Sequence, residues 1–134
     1  MKNVVTTGQY VITGIGGVMG WLFGGLDGFL YALIAFVVVD YITGVLAAIY
    51  TRELSSEVGF KGIARKVIIF LLVGIGNIID TEILKTGAIL RTAVIFFYLS
   101  NEGISIVENS ARLDLPIPKK LIEVLKQIDG KEDE

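Results

Sequence analysis

From Phe29 to Tyr50 the chain reads FLYALIAFVVVDYITGVLAAIY, twenty-two residues interrupted by one charge, Asp40. A run of this kind leaves few folds open. In lipid every backbone N–H and C=O must find a partner inside the protein, so only helices and closed barrels can cross. The run shows no apolar–polar alternation, which argues against a barrel strand. As a helix it extends about 33 Å at 1.5 Å per residue, close to a bilayer core of about 30 Å. Three further apolar segments lie at about 9–26, 63–79 and 87–110. The expected fold is therefore all-α: an integral membrane protein with three to four transmembrane helices. The range reflects segment 9–26, because glycine is a poor helix former and seven glycines fall between positions 14 and 28.

Charge sets the orientation. Only 19% of residues are charged, and they cluster at 52–66, 80–91 and 102–134. With four spans and both ends in the cytoplasm, ten of the 12 Lys and Arg residues lie inside and only Lys85 and Arg91 outside. Cytoplasmic loops carry such an excess. A three-span arrangement moves only Lys2. Lys2 followed by an apolar run also resembles a signal peptide. It lacks an A-x-A cleavage pattern, so the segment is expected to be retained. LPIP at 115–118 ends the fourth helix, since proline cannot continue it. The chain then divides into a transmembrane domain, 1–114, and a cytoplasmic tail, 115–134. In the tail, KKLIEVLKQI puts Leu121, Leu125 and Ile128 on one face of a short amphipathic helix. The last residues, GKEDE, read as a frayed charged end.

Composition removes several function classes. The chain has no Cys and no His, so it lacks a disulfide framework, thiol chemistry and the commonest general base and metal ligand. The net charge of −2 leaves no basic nucleic-acid footprint. An enzyme is not expected, and no catalytic, cofactor or metal site is implied. The segment TRELSSEVGFKGIARK reads as a cytoplasmic loop in which Lys61, Arg65 and Lys66 stand at the level of anionic lipid headgroups.

Polar residues inside apolar spans are the site candidates, because an ionisable group there is costly and normally faces protein or water. In segment 91–112 the residues Asn101, Glu102, Ser105, Glu108, Asn109 and Arg112 fall within about 120° of the helical wheel, with Arg91 and Tyr98 extending the arc. Ile95, Leu99, Ile106, Val107 and Leu113 are assigned to the other side. This stripe suggests pore lining or assembly. The competing reading puts everything from Asn101 onward beyond the bilayer, as a solvated amphipathic helix. Asp40 either makes a structural hydrogen bond or pairs with a basic group such as Arg91 or a loop lysine, and Arg91 is also a candidate partner for Glu102. Gly16, Gly20 and Gly24 form a doubled GxxxG, and Gly44, Ala47 and Ala48 are small residues beside Asp40. Both sets suit close helix packing. Asn77 and Asp80 in NIID read as an interfacial helix end.

Four of these stretches occur in an order that resembles the bacteriophage holin family of the toxin secretion/phage lysis type. They are DYITGVLAA at 40–48, SSEVGFKGIARK at 55–66, NEGISIVEN at 101–109 and LPIP at 115–118. The resemblance covers about residues 36–125 and leaves the first 28 unmatched. Relatives often carry Gly before LPIP where this chain has Asp114, a residue that also tolerates a left-handed cap. The resemblance implies a homo-oligomer in the bacterial cytoplasmic membrane. It would permeabilise that membrane to release an endolysin or a secreted toxin, with lipid and further copies of itself as its direct partners. The reading from another class is a small channel, transporter or accessory subunit with a fixed polar pathway through Asp40 and the stripe.

Overall fold

The structure, a computed structural model, describes residues 1–128, so the terminal GKEDE lies outside the described residues. Five helices account for most of them: α1 Lys2–Phe23, α2 Gly28–Tyr50, α3 Ser56–Ile78, α4 Ile89–Arg112 and α5 Lys119–Ile128. The last turns of α3 widen into a π-helical segment, Ile79–Leu84. Three of these are long and apolar enough to cross a membrane: Gly28–Tyr50, Ser56–Leu84 and Ile89–Arg112. The chain is thus a helical membrane protein. Helix α1 is not among the three.

Local chemistry sets the ends. Gly24 stops α1 in the left-handed region (φ 81°), where a side chain would be strained. Three residues on, the Asp27 carboxylate accepts the Leu30 N–H at 2.9 Å and starts α2. The Ser55 hydroxyl accepts the Val58 N–H at 3.1 Å and starts α3. That cap corrects the expected loop. The connection is only 51–55, and residues 56–66 are helical, so Lys66 lies in the bundle rather than on a headgroup-facing loop. Beyond α4 the chain turns back at Asp114 (φ 63°), whose carboxylate accepts the Tyr50 hydroxyl at 3.2 Å.

Helices α2, α3 and α4 enclose the core of Leu30, Leu33, Val37, Ile69, Val73, Ile95 and Leu99. Lipid is as apolar as leucine, so this core is held by close packing more than by exclusion of water. Ala47 and Ala48 are buried on α2, and Gly44 leaves room for the Asn109 side chain. The doubled GxxxG behaves differently. Gly16 and Gly20 meet nothing within 4 Å, α1 buries no residue, and Gly24 is a turn residue rather than a packing face.

Candidate functional site

Near the middle of the bundle, three charged side chains from three helices meet. The Lys66 ammonium of α3 donates to Asp40 of α2 and, at 2.6 Å, to Glu102 of α4. The side chains are only 17%, 7% and 9% exposed. Asn109 completes the group: its amide donates to the Asp40 carboxylate at 2.9 Å, the Asp40 carbonyl at 3.2 Å and the Thr43 hydroxyl at 3.0 Å. The register of α3 explains how lysine reaches this point. Lys66, Ile69, Val73, Asn77 and Asp80 are spaced three or four apart, so one line of α3 carries charge, core and then polar groups again. Such a network costs more to desolvate than it returns as stability, and what it fixes is a single arrangement of helices. As ionised groups, two carboxylates and one ammonium leave one negative charge over.

Two cavities flank the network. One, of roughly 270 Å³, opens between Tyr41, Val58 and Gly62 and reaches Asp40, Lys66 and Asn109 from the Arg112 end. The other, of roughly 350 Å³, lies beside Tyr98, Asn101 and Arg65 and reaches Asp40, Lys66 and Glu102. Both are lined by Asp40, Lys66 and Ser105, so this group stands between the two cavities.

A second polar cluster closes the opposite end. Arg91 is buried and donates to the Asp27 carboxylate at 2.8 and 3.1 Å, to the Gly25 carbonyl at 2.9 Å and to the Phe23 carbonyl. The Arg91 guanidinium, hydrogen-bonded to Asp27, holds its carboxyl below the ordinary value of 3.8. Asn77 donates to the carbonyls of Trp21 and Leu22 at 3.0 and 3.1 Å, satisfying the last turn of α1. Asp80 accepts the N–H groups of Leu90 and Arg91 at 2.9 and 2.8 Å, and so caps α4 from another helix. The cluster ties α1 to the bundle by its last turn.

The predicted stripe on α4 is divided. Arg91, Glu102 and Asn109 point into the bundle, Tyr98, Asn101 and Ser105 are half-buried, and Glu108 and Arg112 are exposed. Arg112 pairs at the surface with Glu53 at 3.1 Å. Ile95 and Leu99, assigned to the other side, are core residues beside the buried polar ones. Arg91 pairs with Asp27 and not with Glu102 or Asp40, because eleven helical residues separate it from Glu102 by about 16 Å. Of the expected partners for Asp40, the lysine of 55–66 is the one found. The sequence offered a loop lysine for Asp40 without singling out Lys66, and gave no sign that Asp27, Asn77 and Asp80 join a network. Extending the apolar period of 69 and 73 back to 66 was the available signal for Lys66.

The chain also has two unlike sides at the Arg112 end. Ile42, Leu46 and Ile49 of α2 and Phe60 and Ile63 of α3 are at least half exposed. At the same end α4 exposes Glu108 and Arg112, and the side of α3 turned toward the Asn101 cavity exposes Lys61 and Arg65. One side suits lipid and the other does not.

Comparison with known proteins gives a consistent result. Residues 17–130 match the bacteriophage holin family. An uncharacterised protein of Listeria monocytogenes is 47% identical over 94% of this chain and 89% of its own length. An uncharacterised 14.9 kDa protein of Clostridium perfringens is 38% identical over 98% of this chain and 99% of its own. A probable holin of Bacillus phage phi105 is 36% identical over 85% and 83%. Similarity therefore extends into the N-terminal region that the sequence motifs left unmatched. No solved structure matches the chain.

Proposed function

The chain belongs to the bacteriophage holin family, and from that premise we propose that it accumulates in the bacterial cytoplasmic membrane, assembles with itself and permeabilises it. The family is one of membrane-permeabilising proteins and not of enzymes. The observation that carries the proposal is the two-sided surface at the Arg112 end. A single copy with Glu108 facing lipid is disfavoured, since an ionisable side chain within a membrane span normally faces protein or water. Copies that turn α2 and α3 to lipid and α4 inward toward water avoid that contact. Stripe residues that are buried in one copy, Glu102 and Asn109, stand behind this face and set the helix arrangement that presents it. The Arg112 end of the bundle faces the cytoplasm in this reading, and the released cargo is an endolysin or a secreted toxin.

The two cavities meeting at Lys66 favour a second reading, a narrow polar pathway through each copy. Vesicles loaded with dyes and proteins of graded size separate the two. The holin reading predicts release of a folded endolysin-sized protein with a steep threshold in protein density. Ion flux alone, proportional to the number of copies, supports the fixed pathway.

A further inference from the structure

The C-terminal helix does not hang below the bundle. After the turn at Asp114, α5 runs back along α4, and Leu125, 4% exposed, seats on Gly103. The fit is close: a Cβ on Gly103 would stand 2.5 Å from a Leu125 methyl and 3.2 Å from the Phe36 ring. The hydroxyl of Ser100, fully buried, donates to the Leu125 carbonyl at 2.8 Å. Ser100 lies twelve residues above Arg112, so α5 climbs about 18 Å beside α4.

That height is within the bilayer. From Ile89 to Leu99, α4 spans about 17 Å, too short to cross a core of about 30 Å. The exposed Ile42, Leu46, Ile49, Phe60 and Ile63 give α2 and one face of α3 an apolar surface down to the Arg112 end, while Lys61 and Arg65 are exposed on the other side of α3. Yet at this depth α5 exposes Lys119, Lys120, Glu123 and Lys126 on one arc. A helix with four charges cannot face acyl chains there. The apolar arc of α5 is only half used: Leu125 is covered, while Leu121 and Val124 remain 48% and 41% exposed at its side.

Resting on the holin reading, we propose that α5 is part of the wall of the assembled lesion: docked on α4, it turns its charged arc to the water-filled lumen. Leu121 and Val124 meet a second copy of this chain. The tail is then a lining element continuous with the polar face of α4, not a separate cytoplasmic appendage.

The chain has no cysteine, so introduced thiols report without background. Gly103→Cys/Leu125→Cys, oxidised, fixes α5 in its seat, since a Cβ at position 103 faces the Leu125 side chain. The oxidised and reduced forms should release the same graded dyes, and loss of release on oxidation that recovers on reduction overturns the proposal. Because Leu125 is buried, a second variant guards against misfolding. Lys126→Cys, treated with a bulky charged membrane-impermeant thiol reagent after lesions have formed, should lose most of its conductance. Conductance that ignores this modification overturns the inference alone. No release from the unsubstituted chain overturns the holin reading with it.

Discussion

Lys66 is the residue on which the helix arrangement turns. It is shared by two carboxylates from different helices. Lys66→Met should lower the stability of the purified protein by about 3–5 kcal/mol, because both acids are left buried and unpaired. The triple variant Asp40→Asn/Lys66→Met/Glu102→Gln should recover most of that loss, since it removes the charges together. Thermal unfolding in detergent reads both, and a Lys66→Met protein as stable as the parent would show that the network is not structural. Half of this network was legible in the sequence. Asp40 and Glu102 stand out because charge interrupts apolar runs. Lys66 does not, because it ends the basic segment 61–66 and looks like its neighbours until the N-cap at Ser55 makes that segment helical. The same limit hid Asp27, which reads as a turn residue and is held by an arginine 64 positions away.

At the level of elements, glycines decide how closely helices approach. Gly76 of α3 lies against the α4 backbone: an added Cβ would sit 3.2–3.3 Å from main-chain atoms of Leu90 and Arg91, which cannot swing aside. Gly62 faces only the Tyr41 ring, at 3.4 Å. Gly76→Ala should therefore destabilise by about 1–3 kcal/mol through overpacking, despite the better helix propensity of alanine. Gly62→Ala should be neutral or slightly stabilising, because the same propensity gain of roughly 1 kcal/mol is opposed only by a mobile ring. Equal effects in denaturation experiments would contradict the packing described. Helix existence was well marked in the sequence, since long apolar runs with few charges leave one solution in lipid. Helix partnership was less legible. The GxxxG of α1 signals close packing, yet Gly16 and Gly20 are open in one copy while Gly74, Gly76 and Gly103 hold tight contacts. Spacing shows that a helix can be approached closely, not which neighbour approaches it.

For the whole molecule, the central feature is two-sidedness. The bundle keeps lipid-compatible surface on α2 and on the Phe60, Ile63, Val67 and Leu71 face of α3, and gathers polar surface on α4, α5 and the Lys61 and Arg65 side of α3 toward the Arg112 end. The sequence stripe pointed to α4 but combined groups that serve the interior with groups that face out, because a helical wheel gives angles and not neighbours. What remains outward is a narrower face centred on Glu108, extended by a helix that doubles back beside it. Two positions at similar depth in assembled protein in vesicles should therefore behave differently. A charged membrane-impermeant thiol reagent should modify Glu108→Cys rapidly and change the leak, and should leave Leu46→Cys, on the exposed face of α2, unmodified with its leak unchanged. Rapid modification of Leu46→Cys with Glu108→Cys protected would mean that α2 lines the water-filled path, and would contradict the account.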